Sequence, residues 1–306
     1  EIYTLSLHDA LPIFGRVCRA LHCTGGNVNM LYTGVENADL LTTTSKYYAE
    51  EIVRNGKEVY GLGRVIEERQ DKVHGILNGI DTRQWNPSTD KLIKKRYGAD
   101  RMEGKLDNKK ALLEKAGLPF VEGRPLVGVI GGFDAVQGAE LLKESLGHLV
   151  RIELQLIICG SGDKEYEKFF REVATRYSTQ VALFGDYADT FLHLAIAGLD
   201  MLLMPGRIES CGMLQLFAMS YGTIPVVYAG GGIVETIEEI SESGGSGFLF
   251  HDYTPEALAG KLQEAIGLYH NDERWRQLVL AAMNRDFAWK SSAGEYDQLY
   301  RQLLEA

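Results

Sequence analysis

The stretch that decides the fold is Met204-Pro205-Gly206-Arg207-Ile208-Glu209-Ser210-Cys211-Gly212-Met213-Leu214-Gln215-Leu216-Phe217-Ala218-Met219-Ser220-Tyr221-Gly222-Thr223-Ile224-Pro225-Val226-Val227, followed by Tyr228-Ala229-Gly230-Gly231-Gly232-Ile233. The apolar run Leu199 to Met204 leads into it as a strand too short to cross a membrane, and Pro205-Gly206 ends that strand with turn chemistry. Glu209 then falls just outside a strand's carboxyl end. From Gly212 onward, Met213, Leu216, Phe217 and Ser220 share one helical face, and Gly222 and Pro225 bracket the return to Val226-Val227. Strand, loop, helix and strand in that order make a βαβ unit. In open α/β sheets ligands collect at the carboxyl ends of strands, where loop N–H groups and helix N-termini point at an anion. Gly212 and the triple glycine at 230–232 are the places where this chain offers such backbone.

Outward from this unit, Leu126 to Ile130, Leu154 to Cys159, Gln180 to Phe184, Leu199 to Met204, Ile224 to Val227 and Gly247 to Phe250 are short apolar runs separated by helical patterns. That alternation predicts a doubly wound parallel sheet. Gly160-Ser161-Gly162-Asp163 follows its strand as a tight turn, a weak nucleotide signal when taken alone. From Lys91 to Gly123 the composition turns charged and helical; Asp107-Asn108-Lys109-Lys110 opens a helix that ends at Gly117, before Pro119. Earlier, Asn27 to Gly34 reads as the last part of a helix, Ala38 to Ser45 as a strand with a polar terminus, and Tyr47 to Arg54 as a helix capped by Ser45. Val73 to Asp81 reads as a strand running into an Asn78-Gly79 turn.

The chain's 306 residues suffice for two domains of ordinary size, and 45% hydrophobic residues can fill their cores. Lys plus Arg number 32 against 42 Asp plus Glu, a formal charge of −10, so nucleic acid and anionic membrane are poor partners. Cys18, Cys23, Cys159 and Cys211 include no C-x-x-C, which argues against a zinc ribbon or a disulfide scaffold and fits a reducing cytoplasm. No run reaches the roughly 18 apolar residues of a membrane span.

Arg207, Glu209, Cys211-Gly212, Gln215-Leu216, Tyr221-Gly222-Thr223, Pro225 and Gly231-Gly232, at this spacing, resemble the carboxyl-terminal signature of bacterial glycogen synthases and plant starch synthases, retaining glycosyltransferases of the GT-B fold. A match of this length at fixed spacing is far more specific than a lone glycine motif. Ala38 to Ile52, Asn78-Gly79-Ile80-Asp81 with Trp85, Pro87 and Asp90, and Gly160 to Asp163 extend the resemblance, which begins near Gly26 and runs to the end of the chain. It implies an α/β, GT-B type architecture, with a Rossmann-like nucleotide-sugar domain at 125–286. Residues 15–90 are then the remnant of a second Rossmann-like domain, the amino-terminal acceptor domain, 91–124 the interdomain connection, and 287–306 a terminal crossover helix. Residues 1–14 open without methionine, fit nothing in the family pattern and read as a non-native leader.

The activity implied by the resemblance is transfer of glucose from ADP-glucose or UDP-glucose to an α-1,4-glucan with retention. Glu209 is then the catalytic carboxylate at the donor sugar. Cys211, Gly212, Met213, Gly231 and Gly232 hold the sugar and diphosphate, and Asn78 faces the cleft near the sugar. Nucleotide sugar and α-glucan are the implied partners, with no nucleic acid, membrane, metal or cofactor, the donor being a substrate. Without the resemblance, Glu209 reads as a carboxylate capping its helix.

The pattern breaks where the donor diphosphate should be neutralised. The family follows the first strand of its carboxyl domain with S-R-L-x-x-Q-K-G; this chain has Ile130-Gly131-Gly132-Phe133-Asp134-Ala135-Val136-Gln137-Gly138. Gly132 stands at the arginine position and Gln137 at the lysine position, and with Gly131 they are the substrate-binding candidates of this loop. Ser210 replaces a proline and Gly230 a threonine, while Asp186 takes the place of an adenine-stacking tyrosine and leaves Tyr187 as the neighbouring candidate. Losing one stabiliser of leaving-group charge costs about a hundredfold or more. The larger, first part of the family's amino-terminal domain has no counterpart here, so the chain is expected to be inactive alone unless another chain supplies that half. Three readings stay open: part of a catalytic synthase; a degenerate homologue that binds or regulates; or a different GT-B enzyme, such as another glycosyltransferase or a sugar-nucleotide epimerase.

Overall fold

The computed structural model describes residues 4–6, 23–24, 27–54, 61–185, 188–207, 209–242 and 244–305. They divide into two compact units, Glu1–Leu77 with Ala293–Ala306, and Asn78–Ser292. Residues 78–90 and 91–124, read from sequence as the close of one domain and a connection, both cluster with the second unit. Among the described residues no helix is long and apolar enough to cross a membrane.

In the first unit, β1 (Thr4–Ser6), β2 (Cys23–Thr24) and β3 (Asn27–Asn29) form an antiparallel sheet in the order β1-β3-β2. Residues 4–6, read as part of a leader outside the fold, thus pair with β3. α1 (Met30–Asn37) starts where the Asn29 side chain accepts the Tyr32 N–H. Residues 27–29, expected to be helical, are strand because that cap fixes the helix start one residue later. β4 (Leu41–Thr43), α2 (Lys46–Arg54), α3 (Gly63–Glu67) and β5 (Val73–Gly75) follow, and β4 pairs with β5 in parallel. Ser45 caps α2 as expected, its hydroxyl accepting from the Tyr48 N–H. The polar strand of 38–45 shrinks to three residues, the Ala38 carbonyl being held by the Arg69 guanidinium instead of a ladder. Leu62, Val65 and Ile66 are this unit's small buried core.

The second unit opens with α4 (Glu103–Ala116), which begins four residues before Asp107 and stops at Gly117, whose φ of 68° ends the helix at the expected glycine. Then strands and helices alternate: β6 (Leu126–Ile130), α5 (Ala139–Leu149), β7 (Gln155–Cys159), α6 (Lys164–Arg176), β8 (Val181–Phe184), α7 (Asp189–Gly198), β9 (Met201–Met204), α8 (Leu214–Ser220), β10 (Ile224–Tyr228), α9 (Ile233–Thr236) and β11 (Phe248–Phe250). α10 (Pro255–Tyr269), α11 (Asp272–Met283) and α12 (Trp289–Glu305) complete the chain, and α12 contributes its residues from Ala293 onward to the first unit. All six apolar runs named above are strands of one parallel sheet, ordered β11-β10-β9-β6-β7-β8. Their near-complete burial is what a sheet covered on both faces requires.

The chain leaves β6 to one side through β7 and β8, then returns to β9 on the other side. β6 and β9 are therefore the neighbours at the switch point, where a crevice opens at the carboxyl ends. Their amino ends are tied by one buried pair. Lys109 Nζ lies 2.6 Å from Asp200 Oδ2, which also accepts the Leu126 N–H, and Lys109 donates further to the Arg124 carbonyl and the Tyr269 hydroxyl. Burial pulls the Lys109 ammonium down, but Asp200 and Tyr269 outweigh it and leave its pKa raised. Removing one member of a buried pair strands the other charge, so Asp200→Ala is expected to cost about 3–5 kcal/mol, and Lys109→Met with Asp200→Leu much less. Urea unfolding of the three proteins checks this; equal losses for the single and double variants would contradict it.

Candidate functional site

Three loops meet at the carboxyl ends of β6, β9 and β10. After β9, Pro205 and Gly206 turn the chain toward the β6 loop, where the Arg207 N–H donates to the Val136 carbonyl at 3.0 Å. Gly138 has φ 84°, and a Cβ there would lie 2.3 Å from the Pro205 carbonyl oxygen. Only glycine allows the two loops to come this close. After β10, the Gly232 N–H donates to the Glu209 carbonyl, and Gly231, with φ 60°, would drive a Cβ to 1.8 Å from that same oxygen. Glu209 is thus fixed through its backbone by the glycine turn and through its side chain by the Gly212 N–H, 3.0 Å from Oε1.

Burial raises the Glu209 carboxyl pKa above its ordinary value, and the Gly212 N–H only partly opposes it. A raised folded value means the folded state binds the proton more tightly than the unfolded one. The protonated group therefore supports the fold at low pH, and that support is lost as pH rises through the raised folded value. Gln imitates the protonated form, so Glu209→Gln is expected to melt higher than the parent near pH 7, with the difference vanishing around pH 4. Melting curves at both values decide this, and an equal difference at both would contradict it.

Cys211 is buried, which pushes its thiol up, while a hydrogen bond from the Asn78 backbone works the other way. That contact brings Asn78 beside the Cys211–Gly212 turn. Met213 was expected on the buried helical face but is 39% exposed, because it sits at the N-cap with φ −119° and the helix starts only at Leu214; Leu216 and Phe217 keep the buried face. Gln215 stands in the motif, but its task is not apparent from the sequence. Its side chain is fully buried, and its amide nitrogen donates to the Cys211 and Gly212 carbonyls and to Thr236 Oγ1. One amide therefore joins the loop after β9 to the short helix after the glycine turn. A glutamine inside an otherwise apolar helical face was the signal for it.

A cavity of about 50 Å³ opens among these loops, lined by Gly131, Gly132, Gln137, Gly206 and Glu209 over a floor that includes Met204, Leu214 and Ile233. Gly212, Gly231 and Gly232 brace Glu209 and, like Cys211, do not line the cavity. Asp186 and Tyr187 lie outside the described residues. No Lys or Arg is among the described residues that line the cavity. Gln137 Oε1 accepts the Gly132 N–H at 3.1 Å, and the Gln137 N–H donates to Asp134 Oδ1 at 2.8 Å. Gly132 has no positive φ, and the nearest atom to a Cβ there is Asp134 Oδ2 at 3.1 Å, so a longer residue can stand at this position with a small side-chain shift.

Residues 112–278 match the family described as Glycosyl transferases group 1. The chain is 74% identical over 289 residues to a glycogen synthase of Chlorobium limicola, an alignment that covers 94% of this chain and 59% of that protein. A glycogen synthase of Chlorobaculum tepidum is 56% identical over 288 residues, with the same coverage. Among solved structures, the catalytic domain of starch synthase IV from Arabidopsis thaliana bound to ADP and acarbose superposes with a TM-score of 0.86 at 30% identity, over 93% of this chain and 60% of that one. Sucrose-phosphate synthase from Thermosynechococcus elongatus, at 22% identity and a TM-score of 0.60 over 90% of this chain and 61% of that one, shares the fold. The chain spans about 59% of the length of the curated relatives it matches.

Proposed function

We propose a reaction for this chain from one premise: it belongs to the group 1 glycosyl transferase family. The reaction is transfer of glucose from ADP-glucose or UDP-glucose to an α-1,4-glucan with retention, carried out by a cytoplasmic protein of glycogen synthase type. The observation that carries it is Glu209, a braced and partly desolvated carboxylate on the switch-point cavity, in a chain 74% identical to a glycogen synthase. In this proposal Glu209 contacts the donor sugar. Gly131, Gly132 and Gln137 line the phosphate side, and Tyr187, outside the described residues, stays a candidate from the sequence alone. Cys211, Gly212, Met213, Gly231 and Gly232 shape the loops behind the cavity that hold the sugar and diphosphate, and Asn78 faces the sugar end. No resident cofactor or metal enters the proposal. The acceptor glucan would be held largely by an amino-terminal half, supplied within a longer protein or by another chain.

A second reading is favoured by the absence of Lys and Arg among the described residues lining the cavity: a degenerate homologue that binds or regulates without transferring glucose. Glucose leaves the donor as the diphosphate gathers charge, and fixed positive groups facing that charge are usually the largest catalytic contribution. If Gly132 and Gln137 face the diphosphate, Gly132→Arg with Gln137→Lys is expected to tighten ADP binding by about two orders of magnitude, since each charge-assisted contact contributes roughly 1.5–3 kcal/mol. Added salt should shrink the gain. Calorimetry with ADP, beside a melting curve showing a folded double variant, tests it; no gain would remove the nucleotide from this cavity. Incorporation of labelled glucose into glucan above a Glu209→Ala control would support transfer over mere binding.

A further inference from the structure

We infer that the segment 90–101 forms a binding site for a small phosphorylated metabolite carrying at least two negative charges. The segment has no regular helix or strand, yet several buried hydrogen bonds hold it to the core. Asp90, Ile93 and Tyr97 point inward and are buried. Asp90 accepts from the Tyr221 hydroxyl and from the Leu92 N–H, and its carboxylate lies 2.7 Å from His193 Nδ1. The Tyr97 hydroxyl donates to the Tyr221 carbonyl, and the buried Asn108 amide brackets Lys95, accepting its N–H and donating to its carbonyl.

With those three residues fixed inside, the residues between them must face out. Lys91, Lys94, Lys95, Arg96 and Arg101 are all exposed and line a single recess of about 430 Å³. Among the described residues none of the five makes an ion pair. Arg96 gives one N–H to the Asp90 carbonyl, which anchors it without neutralising it. Among the described residues the one carboxylate lining the recess is Asp90, and it is occupied in the interior by His193 and Tyr221. Asp100 is the segment's other acid and is not part of the lining.

Five like charges on a pinned loop repel one another, a cost the fold does not need, and they stand out in a chain whose net charge, with these five included, is −10. An anion in the recess would turn that repulsion into attraction. The recess has the volume of a small-ligand site and is short of the extended stripe that a nucleic acid backbone or the roughly 800 Å² that a protein partner would need. This inference does not depend on the proposed glucosyl transfer, since the recess shares no lining residue with the cavity at Glu209.

The test is calorimetry of the full chain with inorganic pyrophosphate at low salt, compared with Lys91→Ala/Lys94→Ala/Arg101→Ala. These three side chains make no hydrogen bond described above, and a melting curve equal to the parent's confirms the fold. Saturable binding below about 1 mM is expected, weakened tenfold or more in the triple variant and by added salt. Unchanged affinity in the triple variant would put the anion elsewhere, including the cavity at Glu209, and overturn the site. Absence of binding, or tighter binding of a single-stranded oligonucleotide or an acidic peptide than of pyrophosphate, would overturn the ligand class.

Discussion

The close approach of β6 and β9 is the constraint on which the second unit depends. Two parallel strands that are distant in sequence must stay hydrogen-bonded while the chain departs from them in opposite directions. At their amino ends the pair is tied by Lys109 and Asp200, an ion pair that would be a liability if either partner lost its hydrogen bonds, but here both are multiply bonded. At the carboxyl ends no charge does this work. There the loops touch through backbone alone, Gly138 against Pro205 and Arg207 against Val136, and glycine is required because any Cβ would collide.

α8 carries that arrangement from the core to the site. Seven residues are too few for a helix to be stable on its own, so its position must come from its ends. At the amino end Gln215 ties the Cys211–Gly212 turn to Thr236 of α9. At the carboxyl end the Tyr221 hydroxyl reaches Asp90, its carbonyl takes the Tyr97 hydroxyl and the Lys105 ammonium, and Trp85 stacks on both Phe217 and His193. Burial draws the Lys105 pKa down to about 7, so this ammonium is held by carbonyl dipoles at a real cost in desolvation. The loop at Glu209 is therefore placed by residues that lie at the other end of a helix or in a segment far away in sequence.

These dependencies explain what could be read from the sequence and what could not. The six strands were legible because burial on both faces demands continuous apolar runs, and such runs stand out in a chain that is otherwise polar. Gly117 and Ser45 were legible as helix ends because their chemistry is local. The start of α4 was not, since no side chain caps it: Met102 holds the N-cap without a hydrogen bond. Met213 misled for a related reason, because periodicity continues past the residue where helical backbone begins. At the site, Glu209, Gly131, Gly132 and Gln137 were identifiable and do line one cavity, whereas Asp90 acts through hydrogen bonds to His193 and Tyr221, more than a hundred residues away, that leave no local pattern.

The loop after β6 shows how a site can retain its shape while its electrostatics change. An anion-binding loop works by leaving backbone N–H groups without protein acceptors, so that ligand oxygens complete them. Here the Gly132 N–H already has an acceptor in Gln137, and Gln137 is in turn held by Asp134. Both of these donors are satisfied within the loop, and a diphosphate would have to break the Gly132–Gln137 bond while meeting the Glu209 carboxylate, with the Asp134 carboxylate beside Gly132 and no Lys or Arg among the described lining residues. A lysine at position 137 would reverse each of these: it cannot accept the Gly132 N–H, so that donor is freed, and its ammonium faces both the carboxylates and any incoming phosphate. The single exchange of an amide for an ammonium thus separates a loop that closes on itself from one that waits for an anion.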